Sequence, residues 1–212
     1  MWYLDTEHPV AVDSFDHLYP VGTKDDNYKS GNFNTKLINL FNRQKISVLD
    51  LGCAGGGFVE SLIELGHIAV GLEGSDYSLK IKRAAWATVP DSLFTCDITY
   101  PFVVHQGDSI PYLFDVATAW EVVEHIETED LPMLFQNMRV HLKDSGLFIM
   151  TTPRNFNRYP RSGVDHHRTR KPAEWWDETI TGFGFQRQPD IEEHFGRFWL
   201  RDGKVRRVFR KC

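Results

Sequence analysis

Apolar and polar positions alternate along this chain in two rhythms. Short apolar runs bounded by Gly, Asp or Pro read as buried strands. They fall at 46–51, 68–73, 92–96, 114–120 and 146–152, the last ended by Pro153. Between them, apolar residues recur every three or four positions, as on one face of a helix. These stretches predict helices over 34–42 with Asn34 as N-cap, 57–65 stopped by Gly66, 78–87, 129–142, and 172–181 with Pro172 in the first turn. Two further strands are expected at 183–191 and 198–209, the second bent at Asp202-Gly203. Residues 1–33 are polar and read as an irregular lead-in or cap, followed by a single domain over 34–212.

Strands alternating with helices imply right-handed crossovers and a doubly wound, mostly parallel α/β sheet with helices on both faces. Ligands of such sheets bind beyond the carboxyl ends of the strands. The residues that end each strand are therefore the ones to read for chemistry.

Composition narrows the class. The 212 residues are 42% hydrophobic and 25% charged, which suits a globular chain. No apolar run approaches the roughly 20 residues needed to span a bilayer, and the N-terminus lacks the features of a signal peptide. Cys53, Cys96 and Cys212 are scattered and odd in number, so a reducing, cytoplasmic setting is expected, with no Cys-based metal site. The net charge of −5 is unevenly spread: 10 Lys+Arg against 21 Asp+Glu over 1–150, then 14 against 8 over 151–212. The basic end is either a solvated surface or a face turned to an anionic substrate.

The most informative segment is Asp50-Leu51-Gly52-Cys53-Ala54-Gly55-Gly56-Gly57, which follows one predicted strand and opens one helix. Glycines there let the backbone turn sharply against a ligand. Spacing alone would also fit a degenerate dinucleotide fingerprint. Asp50 argues against that: a carboxylate beside the turn repels a pyrophosphate and suits a cationic, phosphate-free ligand. Glu73 ends the next strand, placed to accept from ribose hydroxyls. Asp97 follows the third, placed to accept from an adenine amino group.

The stretch from about Lys45 to Arg154 resembles the class I S-adenosylmethionine-dependent methyltransferases. The resemblance implies a seven-stranded sheet and binding of S-adenosylmethionine along Asp50, Gly52, Cys53, Ala54 and Gly56, then Glu73, Gly74 and Ser75, then Asp97 and Ile98, then Trp120 and Glu121. Ala54 departs from the family, which usually has glycine there, and should narrow the turn slightly. Trp120 packs either near the cofactor or in the core.

The fourth strand runs into Glu121-Val122-Val123-Glu124-His125. Helical spacing would bring Glu121, Glu124 and His125 to one side, a set suited to a divalent cation such as Mg or Mn, or to the N-terminal end of a helix. The element is similar to one in ubiquinone-biosynthesis O-methyltransferases and in small-RNA 3′-terminal 2′-O-methyltransferases. That resemblance implies a metal held by Glu121, Glu124, His125 and a later histidine, His166, following Asp165. His125, His166 and His167 are the candidate catalytic bases. Arg154, Arg158, Arg161, Arg168, Arg170 and Lys171, with Phe156 and Tyr159, could cover an anionic or sugar substrate. The basic tail (Arg201, Lys204, Arg206, Arg207, Arg210, Lys211) extends that surface or keeps an edge strand soluble.

The expected activity is O-methylation of a small-molecule or carbohydrate-like, anionic acceptor. The alternatives are an RNA 2′-O-methyltransferase, a non-catalytic S-adenosylmethionine-binding regulatory module and, from the glycine turn alone, an oxidoreductase.

Overall fold

The lead-in is more regular than its composition predicts. In the computed structural model, which describes residues 1–108, 110–154, 166–196 and 204–212, it contains strand β1 (Tyr3–Thr6) and two short helices, α1 (Phe15–Leu18) and α2 (Val21–Asp25). Each is held by distant partners rather than by its own periodicity. Helix α3 (Gly31–Leu40) follows, one turn earlier than its apolar pattern suggests. Asn34 is therefore not its cap. It is buried in the helix, with its Nδ2 donating to Ser61 Oγ at 2.8 Å.

The apolar runs become strands where expected: β2 (Ser47–Leu51), β3 (Ile68–Glu73) and β4 (Leu93–Thr95), with α4 (Gly57–Glu64) between the first two. Every residue of β2 is buried, as a strand covered on both faces must be. The single helix predicted over 78–87 is two pieces, α5 (Tyr77–Lys80) and α6 (Ala85–Thr88). Lys82 and Ala84 adopt positive φ between them. Tertiary bonds override the local rhythm: Ala85 N donates to Gly55 O at 2.9 Å, and Trp86 Nε1 to Ala54 O at 2.8 Å. Strand β5 (Phe102–His105), absent from the prediction, pairs antiparallel with β1 in a separate two-stranded sheet.

Strand β6 (Phe114–Trp120), helix α7 (Leu131–His141), strand β7 (Leu142–Pro153) and helix α8 (Ala173–Gly182) complete the alternation, with Pro172 at the N-cap of α8. The strand predicted over 183–191 shrinks to β8 (Phe185–Arg187), because Pro189 opens helix α9 (Pro189–Phe195). The last strand, β9 (Lys204–Lys211), covers the later part of its prediction; Asp202-Gly203 lie outside the described residues.

The main sheet has seven strands in the order β4-β3-β2-β6-β7-β9-β8. The first five are mutually parallel and β9 is antiparallel to both neighbours. The mostly parallel, doubly wound expectation holds. One core lies beneath α7 and α8, with Phe135, Phe148 and Trp176. The other lies beneath α3, α4 and α9, with Phe33, Phe58 and Phe195. Among the described residues, no helix is long and apolar enough to cross a membrane.

Candidate functional site

The strand order reverses between β2 and β6, so their carboxyl ends diverge into a cleft. Asp50 stands one residue before the end of β2. Its neighbour in register is Thr118 of β6, whose Oγ1 donates to Asp50 Oδ1 at 2.6 Å. Thr118 is a polar residue inside an apolar run, the one signal that could have flagged it. Asp50 is 2% exposed, and burial pushes its carboxyl up to about 8, despite the Thr118 hydrogen bond.

The turn itself needs its glycines. Gly52 and Gly56 adopt φ of 66° and 77°. A Cβ on Gly52 would lie 2.4 Å from Val122 Cγ2, and one on Gly56 2.9 Å from Ala85 Cβ. Ala54 adopts φ 48°, a left-handed conformation that glycine would occupy with less strain. Its N–H donates to Glu73 Oε2 at 2.7 Å, which holds it there. Cys53 is buried, its N–H donating to Leu72 O and its thiol raised well above the ordinary range by burial.

Glu73, 5% exposed, does more than wait for a ribose. Its carboxylate also accepts from Ser75 N at 3.0 Å and from Thr23 Oγ1 of the lead-in at 3.5 Å. Burial raises this carboxyl too, against the hydrogen bonds that favour its charge. Asp97 Oδ1 accepts from Thr99 N and Oγ1, an Asx-type turn that shapes the third strand end. Gly74 O accepts from Ala11 N, and Ile98 O from Asn137 Nδ2. The structure thus brings Asp50, Gly52, Cys53, Ala54, Gly56 and Glu73 together at one turn, with Gly74, Ser75, Asp97 and Ile98 on the strand ends beside it.

Trp120 packs edge-on to Phe33 and Phe58, with ring centroids 4.9 and 5.6 Å away. That is the core alternative among its two readings. The next residues do not form the regular helix that would align Glu121 with Glu124. Glu121 has φ 58°, and its N–H donates to Thr151 Oγ1 at 3.1 Å. Its carboxylate pairs with Lys204. A 3-10 turn then covers Val123–His125. Of the expected cation set Glu121, Glu124, His125 and His166, Glu121 thus pairs with Lys204 here.

A different group assembles there. Arg168 N and Thr169 N donate to Glu124 O at 2.8 and 3.0 Å, and Thr169 Oγ1 to Ile126 O at 2.7 Å. These bonds dock the segment after 165 against the 3-10 turn. His125, His166 and His167 consequently cluster, with one ligand atom from each within 4.8 Å of the others. Burial, then the neighbouring His125 and His166, depress His167 to about 4, so it is neutral at pH 7. Glu124 is fully buried, neither carboxylate oxygen has a hydrogen-bond partner among the described residues, and burial raises its carboxyl to about 8. Asp16 of α1, which no local pattern singled out, places Oδ2 3.3 Å from His125 Nδ1.

A cavity of about 510 Å³ opens beyond β7 and β9, lined by Arg154, Lys204, Arg206 and Arg207 with Glu174 and Glu192. Phe156, Arg158, Tyr159, Arg161, Asp165 and Arg201 lie outside the described residues. The tail is not an edge strand, since β9 is paired on both sides. Arg207 pairs with Asp177, while Arg210 and Lys211 donate to the Ser145 and Leu142 carbonyls.

Residues 28–198 match a family model described as a methyltransferase domain. The chain is 32% identical over 119 residues to the ubiquinone biosynthesis O-methyltransferase of Methylobacterium nodulans, a match covering 56% of this chain and 44% of that protein. It is 24% identical over 161 residues to the mitochondrial ubiquinone biosynthesis O-methyltransferase of Schizosaccharomyces pombe, covering 68% and 56%. The chain thus spans about half the length of these curated relatives. Its fold is similar to that of CalS10, an amino pentose methyltransferase from Micromonospora echinaspora solved with S-adenosylmethionine, at 14% identity, coverage of 92% and 97%, and a TM-score of 0.60. The family match displaces the dinucleotide reading of the glycine turn. Taken with the sheet order and the acids at three successive strand ends, it places the chain in the class I S-adenosylmethionine-dependent methyltransferase family.

Proposed function

We propose that this protein transfers a methyl group from S-adenosylmethionine to a hydroxyl of a small-molecule or carbohydrate-like acceptor that carries an anionic group. The observation that carries the reading is the histidine cluster, set on the turn that leaves β6. Bound S-adenosylmethionine supplies the methyl group on a positively charged sulfur. The cleft fits such a cation: Asp50 and Glu73 are both buried carboxyls held above their ordinary range, and among the described residues no Lys or Arg offsets either. Asp50, Glu73 and the turn between them would hold the donor, with Asp97 and Ile98 at the nucleoside end.

The chain's other task is to align the acceptor, which by proximity alone supplies several orders of magnitude. It must also take the hydroxyl proton. His125, His166 and His167 gather three imidazoles at one place for that task. The cationic cavity beside Glu121 and Lys204 supports an acceptor with a carboxylate or phosphate. The O-methyltransferase relatives and the sugar-methyltransferase neighbour agree with a hydroxyl on a small molecule.

A metal-assisted variant is favoured by one observation: His125, His166 and His167 offer three donor atoms within 4.8 Å of one another. A nitrogen-rich set suits zinc or a neighbouring transition metal better than the Mg or Mn expected of Glu121 and Glu124. Such an ion would lower the acceptor hydroxyl's pKa.

The test is a screen of hydroxylated acids, sugars and short RNAs with labelled donor, run with and without chelator. Turnover on a small hydroxylated anion supports the reading, and salt-sensitive turnover on RNA alone would replace the acceptor. Donor binding with no turnover on any acceptor would favour a regulatory module. Within an active protein, His125→Ala or His166→Ala should lower kcat by about 10²–10⁴-fold, while calorimetry shows donor affinity nearly intact.

A further inference from the structure

The lead-in is fastened across the cleft at each strand end that the donor would use. Asp97 N donates to His8 O at 2.9 Å, Ala11 N to Gly74 O at 2.9 Å, and Gly55 N to Asp26 O at 3.1 Å. Thr23 Oγ1 reaches Glu73, and Arg83 Nη2 donates to Asp26 O at 2.7 Å. The contact with the turn is close: a Cβ on Gly57 would lie 2.8 Å from the Asn27 carbonyl oxygen. Asp50 and Glu73 are buried beneath this layer. The lead-in thus covers the donor end of the cleft and touches Glu73 directly.

The same segment touches the histidines. Helix α1 is capped by Ser14, whose Oγ accepts from His17 N at 3.1 Å. Two successive residues of this helix then meet two of the three imidazoles. The Phe15 ring stacks on His166 with centroids 5.2 Å apart and planes 10° apart. Asp16 Oδ2 lies 3.3 Å from His125 Nδ1. Asp16 is also close enough to Glu73 and Glu124 to oppose the charging of both. It therefore sits between the donor end of the cleft and the acceptor end.

We infer that Asp16 is a positioning residue delivered by the lead-in, which fixes the His125 ring only when the donor chamber is closed. The inference rests on the proposed placement of the donor over Asp50 and Glu73. A carboxylate closing on Nδ1 from 3.3 Å selects the tautomer with its proton on that nitrogen and leaves Nε2 as the open ring nitrogen. Nε2 can then accept a proton or, in the metal-assisted variant, serve as the ligand whose ring the carboxylate orients. With the lead-in raised, the ring loses its partner and the cluster its alignment. Closure of the chamber consequently precedes activation of the acceptor.

The test needs no acceptor. Full-length protein labelled with nitrogen-15 in histidine reports the His125 tautomer by long-range nitrogen–proton correlation, assigned with His125→Gln. Limited proteolysis within residues 8–27 reports closure. S-adenosylhomocysteine is the probe for the donor site. The expected result is a single Nδ1-protonated His125 in the probe-saturated protein, a mixed tautomer signal in Asp16→Asn under the same conditions, and equal protease protection of both. Asp16→Asn should bind the probe within about threefold of the parent, because an amide keeps the shape of the carboxylate while removing its charge. An unchanged His125 signal in Asp16→Asn would overturn the inference. So would a changed signal that appears only together with loss of protease protection, since Asp16 would then merely hold the segment down. If the parent protein fails to bind S-adenosylhomocysteine, the donor placement falls, and the gating claim with it.

Discussion

Two turns leave the centre of the sheet, and they solve the same geometric problem with different residues. After β2 the chain passes through positive φ at Gly52, Ala54 and Gly56. After β6 it passes through positive φ once, at Glu121. The first turn is built from residues without bulk, because Val122, Ala85 and the lead-in occupy the space a side chain would need. The second keeps a long charged side chain in a conformation that disfavours it, held by Thr151 behind and Lys204 ahead. A backbone that must admit a ligand is made of glycine. One that must present a carboxylate accepts the strain of about 1–2 kcal/mol. The contrast separates a turn shaped to be approached from a turn shaped to reach.

Reciprocal substitutions test that contrast. The largest effect should come from Gly56→Ala, which adds both a strained φ and a Cβ 2.9 Å from that of Ala85. A loss of about 3 kcal/mol is expected in chemical denaturation; a loss below 1 kcal/mol would mean the turn yields freely. Next, Glu73→Ala removes the acceptor for Ala54 N and Ser75 N as well as the contact proposed for the donor. Calorimetry should show affinity for S-adenosylhomocysteine weakened by about 10–100-fold. The third concerns pH. Asp50 holds its proton up to about 8, and a cationic donor favours the charged form. Affinity for S-adenosylmethionine should therefore rise with pH, by up to about tenfold per unit, and level off above pH 8. The donor-free fold follows the opposite sign, because the unfolded chain has lost that proton well before pH 8. Its stability should fall as pH rises through the interval from the ordinary carboxylate range to about 8. Asp50→Asn should flatten both curves, and an unflattened affinity profile would place the effect on another group. The smallest change should come from Glu121→Gly. Relief of strain and loss of a half-exposed ion pair nearly cancel, so stability should stay within about 1 kcal/mol. A loss above 2 kcal/mol would show that the carboxylate holds the second turn together.

The strands and the glycine turn were legible because their signals are local. Ile68–Glu73 and Phe114–Trp120 carry apolar runs that end at chemistry-bearing residues, and both strands have those bounds in the structure. The broken helix at Tyr77–Thr88 was not legible: its rhythm is helical, but Ala85 and Trp86 bond to a turn some thirty residues away. Spacing also misplaced Glu121, since counting by helical turns presumes a helix that its φ of 58° rules out. Pro189 did carry a signal for α9, at a position that tolerates proline only in a first turn. Nothing near Asp16 or Thr23 marked them. Both sit in a polar stretch, and their partners His125 and Glu73 lie far along the chain.

The fastening of the lead-in also has a kinetic side. In the proposed placement the spent donor would lie beneath the same bonds that enclosed the fresh one, and would depart as the contacts at Gly55, Glu73, Gly74 and Asp97 release. Loop openings of this kind run on microsecond to millisecond timescales and often limit turnover. The residence time of the product would then set the pace, and the enzyme would slow as its own spent donor accumulates.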